Sequence, residues 1–185
     1  MGSHRVNPSY IPPRHQPVPG DMETMSAWSR ALRDPSLRDL PYKVETNEHG
    51  QLVVTPQWPA HGLTQHRIGV LLGELVEAPG SVAVEFAIQT PKGVKLPDVV
   101  WMSEERRSLI EKDTEASPVA PEICVEVLSK SNTRAEIEAK KQLYFECGAL
   151  EVWTGDVDGR MHFFGPEGAV SASAIAPDFP PEVEA

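Results

Sequence analysis

The sequence predicts an α/β fold, a mixed and partly antiparallel central β-sheet flanked by α-helices, on three observations. Short apolar runs, alternating or rich in β-branched residues, lie at 82–88, 96–102 and 122–128 and have the length and pattern of strands. Two stretches of helical spacing, at 61–78 and 133–147, fall between such runs rather than apart from them. The 185 residues, 40% of them hydrophobic, are enough to bury one core and point to a single domain.

The elements follow in chain order. Residues 1–20, MGSHRVNPSYIPPRHQPVPG, are proline-rich and aperiodic, the composition of a disordered arm, and Met22 or Met25 is an alternative start. METMSAWSRALRD (22–34) reads as a short amphipathic helix carrying Trp28, Ala31 and Leu32 on one side and stopped by Pro35. Tyr42–Thr46 and Gln51–Thr55 flank the turn-forming Asn47-Glu48-His49-Gly50 and predict a β-hairpin. From His61 to Ala78, Leu63, Ile68, Leu71, Leu72, Leu75 and Val76 recur at helical spacing until Pro79-Gly80. Val82, Val84, Phe86 and Ile88 alternate with Ala83, Glu85, Ala87 and Gln89, the period of a two-faced strand. After the turn at Thr90–Gly93, Leu96–Met102 is the next strand, and Ser103 before Glu104 starts a short surface helix.

Glu122–Leu128 (EICVEVL) reads as a central strand covered on both faces. Thr133 with Glu136 resembles a capping box opening a helix that runs to Cys147, where Gly148 supplies a left-handed stop. Leu150–Thr154 and Arg160–Phe164 form a last hairpin. The domain organisation is therefore an arm (1–20), a domain (21–165) and an acidic, proline-containing C-terminal tail (166–185).

Composition narrows the function classes. No apolar stretch approaches the roughly 20 residues of a membrane helix, and no signal-type hydrophobic segment opens the chain, so a cytoplasmic protein with no membrane partner is expected. Two cysteines, Cys124 and Cys147, make no disulfide framework, and with scattered histidines they make no zinc pattern. His61 and His66 are not at i, i+4 and read as helix-start and packing residues. There is no Gly-rich phosphate loop, and Ser129 and Ser131 lack the glycine context of a nucleophile elbow. Trp58, Trp101 and Trp153 read as core packing rather than a base-stacking platform. A net charge of −10 opposes non-specific binding to a polyanion, yet nine of the seventeen basic residues fall between Lys92 and Lys141.

That same stretch holds the residues that suggest chemistry. Pro97-Asp98 ends one apolar strand-like run, and Glu126 shares a face with Glu122, Cys124 and Leu128 in another, interrupting an otherwise apolar strand. A lone carboxylate buried there costs several kcal/mol, roughly, or takes up a proton, so a cation is expected beside it. Mg²⁺ takes oxygen ligands and keeps several waters. Asp98, Glu126 and the backbone carbonyl of Val127 form a candidate site for it, with Glu85 a further candidate ligand by position. Lys140 lies at helical spacing between Ile137 and Tyr144 on a stripe that faces the strand, where it can orient or deprotonate the attacking water or stabilise charge on phosphorus. The ordinary alternatives are a strand-end acid at Asp98, a surface pair of Lys140 with Glu136, and Lys141 as the inward lysine.

The segments YKVETNEHGQLVVTP, HGLTQHRIGVLLGEL, GVKLPDVVW, PEICVEVLSKSN and KKQLYFECGALEVWTGD, spanning about residues 40 to 165, resemble the Uma family of endonucleases within the PD-(D/E)XK restriction-endonuclease-like superfamily. The resemblance implies a restriction-endonuclease-like fold and Mg²⁺-dependent (or Mn²⁺-dependent) cleavage of DNA. Asp98 matches the family's proline-aspartate and Glu126 its strand acid. The superfamily lysine two residues after the acid is replaced by Leu128, and the helix lysine four residues before a tyrosine, Lys140 before Tyr144, matches the Uma-like pattern. DNA as substrate and a homodimer suited to cutting both strands follow as expectations, with a catalytically degenerate, protein-binding domain as the alternative.

Overall fold

A computed structural model describes residues 27–37, 40–56, 58–130 and 132–183 of the chain. The predicted arm and the first residues of the predicted 22–34 helix lie outside the described residues. Residues 27–33 are helical (α1), and Trp28 is anchored there by burial against Val94, Leu96 and Ala116 and by donating from Nε1 to the Glu115 carbonyl at 2.9 Å. A 3-10 turn at Pro35–Leu37 follows.

The centre is a six-stranded mixed sheet. Its strands are β3 (Gly80–Val84), β6 (Val99–Ser103), β7 (Ile123–Val127), β8 (Glu151–Gly155), β9 (Met161–Gly165) and β10 (Gly168–Val170). Their spatial order is β10-β9-β8-β7-β6-β3, with β7 and β8 parallel and every other neighbour antiparallel. The parallel pair needs a crossover. Helix α4 (Arg134–Glu146) supplies it, capped by Thr133, whose side chain accepts from the Glu136 N–H, and stopped at Gly148 with φ of 99°. Helix α2 (Pro59–Leu75) covers the opposite face, where Ile68 and Leu72 meet Val99, Trp101, Val125 and Trp153. On the α4 face Tyr144 packs with Val100, Cys124 and Val152. This two-sided cover is why β7 is buried at every position and reads as an unbroken apolar run apart from Glu126.

Three features differ from the sequence reading. The predicted 82–88 strand stops at Val84, because Glu85 turns the backbone into the left-handed region at φ 48°, and the chain resumes as a separate hairpin of β4 (Ile88–Thr90) and β5 (Gly93–Lys95). Alternation alone does not register such a break. The segment after 165, expected as a tail, adds strand β10 and then returns to the core, burying Ala176, Phe179 and Val183 against Trp153 and Phe163. The buried Glu151 carboxylate anchors it by accepting from the Ala174 and Ile175 N–H groups. Trp101 and Trp153 are core residues as expected, whereas Trp58 is 66% exposed at the start of α2. Short helix α3 (Glu104–Arg107) is capped by Ser103 as predicted.

The predicted hairpin forms a separate two-stranded sheet of β1 (Tyr42–Thr46) and β2 (Leu52–Pro56). It docks on β5 through Thr46, whose Oγ1 accepts from the Val94 N–H and whose carbonyl accepts from Lys95 Nζ. Gly93 permits this approach: its φ is 93°, and a Cβ there would stand 2.4 Å from the Thr46 carbonyl oxygen.

Candidate active site

Pairing of β6 with β7 sets Val99 opposite Val125, so the next step of the ladder brings Asp98 beside Glu126. Asp98 is 1% exposed and held on every side. Its N–H donates to the Val125 carbonyl at 2.9 Å, its carbonyl accepts from Gln65 Nε2 at 2.7 Å, and Oδ2 accepts from the Val127 N–H at 2.7 Å. In a strand a residue's N–H and C=O point to the same edge, so the Val127 carbonyl faces the Asp98 side as well.

Glu126 points to the α4 face, where the helix repeat delivers two partners. Tyr144 donates its hydroxyl to Oε1 at 2.5 Å, and Lys140 Nζ lies 3.3 Å from Oε1 and 3.5 Å from Oε2. Lys140 is the lysine that faces Glu126, and its closest acid is Glu45 at 2.9 Å rather than Glu136. Lys141 pairs with Glu138 at 2.7 Å and lies over the Phe164 ring, away from the acids. Glu85 is exposed, one residue past the end of β3, and its N–H donates to the Asp98 carbonyl at 3.2 Å. The structure therefore joins Asp98, Glu126, Val127 and Lys140 and leaves the position assigned to Glu85 at the surface.

Strand β1 contributes two charged residues that the sequence reading did not single out. Lys43 Nζ donates to Asp98 Oδ1 at 2.6 Å and is 3.6 Å from Glu126 Oε2, and Glu45 Oε1 accepts from Lys140 and from the Leu96 N–H at 2.9 Å. The two share one face of β1 at i, i+2, and both are buried, while Leu52, Val53 and Val54 on β2 are exposed. This inverts the usual inside and outside of a hairpin. The only hint in the sequence is the charge alternation of YKVET, which equally describes a solvated strand. His61 also joins the site, with Nε2 at 3.2 Å from Asp98 Oδ2, buried and without a hydrogen-bond partner.

Burial opposes every charge in this cluster, and the partners decide which way each shifts. For Asp98, burial would raise the carboxyl, but the Lys43 ammonium and His61 outweigh it and hold it well below the usual range. Burial likewise works against Glu45, which Lys140, Lys43 and the Leu96 N–H bring below its ordinary value. Glu126 differs: burial pushes it up further than Lys140 and Lys43 pull it down, with Asp98 and Glu45 adding repulsion. Burial pulls down both lysines, yet Glu126 with Asp98 lifts Lys43, and Glu126 with Glu45 lifts Lys140, so both stay charged near neutral pH. Tyr144 is raised by burial and by Glu126, so it remains a neutral hydroxyl donor.

The donor set suits a hard divalent cation in its chemistry: two carboxylates and a peptide carbonyl on one edge, beside the His61 imidazole at 3.2 Å from Asp98 Oδ2. Among the described residues no group of three or more His, Cys, Asp or Glu is arranged to hold a metal. Mg²⁺ is usually bound by one or two carboxylates together with waters and substrate phosphate rather than by an all-protein cage, so two acids suffice. Among the described residues no helix is long and apolar enough to cross a membrane.

Comparison with known proteins agrees with this architecture. A crystal structure described as a putative nuclease belonging to DUF820, from Anabaena variabilis, superposes with a TM-score of 0.63 at 16% identity, covering 82% of this chain and 92% of that one, a likeness of fold. No curated protein matches the chain. The model of the Uma2 family, described as "Putative restriction endonuclease", matches residues 35–175, which include every member of the charged cluster. The chain belongs to the Uma2 family and has its restriction-endonuclease-like α/β fold.

Proposed function

We propose that this chain is an endonuclease that hydrolyses DNA phosphodiester bonds with Mg²⁺ or Mn²⁺. The observation that carries the reading is the convergence of Asp98 and Glu126 on one cationic position, both carboxylates lying within 3.6 Å of a single ammonium with a second ammonium alongside. Asp98, Glu126 and the Val127 carbonyl would hold the metal, which when bound supplies Lewis-acid polarisation of the phosphate and a more acidic water.

The chain's own residues set the rest. Tyr144 and Lys140 fix the Glu126 carboxylate from the helix side, and the Val127 N–H and Gln65 fix Asp98 from the sheet side. Lys140, held above its ordinary pKa, keeps its proton near neutral pH, so it serves as a donor and positive charge for the phosphate rather than as a base. The substrate choice rests on family membership, and a duplex substrate fits a two-fold dimer. A second reading, a nuclease-fold domain that binds protein partners without catalysis, is favoured by the pairing of each acid with a lysine and by the net charge of −10.

Incubating the protein with plasmid and linear DNA in Mg²⁺, Mn²⁺ or EDTA separates the two. Metal-dependent cutting lost in Asp98→Ala and reduced at least about 100-fold in Lys140→Ala is expected, in line with losses of electrostatic groups elsewhere. Absence of cutting in either metal favours the second reading.

A further inference from the structure

Lys43 is the site residue whose place conflicts most with the metal just proposed. Its ammonium lies 2.6 Å from Asp98 Oδ1 and 3.6 Å from Glu126 Oε2, on the ground that a cation bound by both acids would take. Mg²⁺ binds carboxylate oxygen at about 2.0–2.1 Å, so ion and ammonium require the same oxygens and repel one another. Lys140 conflicts less: although it is 3.3 Å from Glu126 Oε1, Glu45 holds it at 2.9 Å, and among the described residues only Lys43 of the two lysines pairs with Asp98 as well as Glu126. Among the carboxylates and lysines joined by direct ion pairs, with Glu126 ionised and His61 neutral, Glu45, Asp98 and Glu126 give −3 and Lys43 and Lys140 give +2, so displacing Lys43 leaves −2 for a divalent ion to offset.

Lys43 is the second residue of β1, next to the exposed Tyr42, while the far end of that strand is pinned at the buried Thr46.

We propose that Lys43 is a tethered competitor for the metal: divalent binding at Asp98 and Glu126 displaces its ammonium, and the lysine thereby sets how tightly the site holds metal. The proposal rests on the metal site proposed above and is tested by binding rather than by cleavage. Mn²⁺ binding, followed by electron paramagnetic resonance at fixed pH on EDTA-stripped and dialysed full-length protein, is compared among wild type, Lys43→Met, Lys43→Gln and Asp98→Asn. Both Lys43 variants are expected to bind at least about tenfold more tightly than wild type, within the usual range for coupled sites, and Asp98→Asn more weakly. Equal or weaker binding by the folded Lys43 variants, with binding still lost in Asp98→Asn, overturns the competitor role and leaves the metal site standing. Binding that is undetectable in all four, or indifferent to Asp98→Asn, removes the metal site and this inference with it.

A second measurement needs no variant. The side-chain ¹⁵N resonance of the Lys43 ammonium in wild type should shift as Mg²⁺ is added, and a resonance unmoved at saturation overturns the proposal.

Discussion

The pairing of Lys43 with Asp98 can be measured by a double-mutant cycle with Lys43→Met and Asp98→Asn. Both side chains are almost wholly buried, at 8% and 1% exposure, and their charged atoms are 2.6 Å apart. Removing one partner of a buried pair strands the other and costs about 3–5 kcal/mol. For a domain of this size that corresponds to a fall in Tm of roughly 6–20 °C for each single variant. Independent sites would sum to about 6–10 kcal/mol in the double variant. Here one interaction is lost in both singles, so the double variant should fall well short of that sum, with a coupling energy of about 3 kcal/mol, the upper end for neighbouring residues. The parallel cycle of Lys43→Met with Glu126→Gln should couple more weakly, because that distance is 3.6 Å and Glu126 retains Tyr144 and Lys140. Urea unfolding in EDTA at neutral pH, with slopes checked for equality, gives all the terms. Coupling within about 0.5 kcal/mol of zero for Lys43 and Asp98 would refute the ion pair as a determinant of the site.

Other consequences follow from the same geometry. Asp98 and Glu45 bind protons more weakly folded than unfolded, so their stabilisation is full above the ordinary carboxylate range and is lost as pH falls below about 4, while Glu126, shifted upward, acts in the opposite sense. Asp98→Asn should therefore flatten the acid limb of a plot of urea midpoint against pH, and an unchanged limb contradicts the assignment. Gly93→Ala should cost about 1–3 kcal/mol and loosen the β1–β2 hairpin, read as faster amide exchange in β1, since φ at this residue is 93° and a Cβ meets the Thr46 carbonyl. Phe179→Ala should cost about 3–5 kcal/mol in denaturant unfolding, because the ring packs on Trp153 with centroids 4.8 Å apart; a cost near zero would restore the reading of the last residues as a tail.

What the sequence by itself determined is what local physics encodes. The period of 61–78, the Thr133 cap and Gly148 stop, and the β-branched run at 122–128 place α2, α4 and β7 to within a few residues, because helix spacing, capping and burial on two faces leave marks in neighbouring positions. Glu126 and Lys140 were legible for a related reason, since an acid inside an apolar strand and a lysine on a helix stripe that faces it are each anomalous in their own element, while Asp98 was marked by the Pro97-Asp98 pair that matches the family pattern. Tertiary structure alone decided the rest. Lys43 and Glu45 look like the solvated face of a hairpin until β1 docks on β5 and turns that face into the site, and His61 looks like a helix start until α2 crosses Asp98. Glu85 left the expected face through a single positive φ, and Phe179 left the expected tail because Trp153 offered it a surface. The physical reason is one of range: periodicity reports which way a side chain points relative to its own element, whereas burial of a charge depends on a partner up to 95 residues away, which only the packed chain supplies.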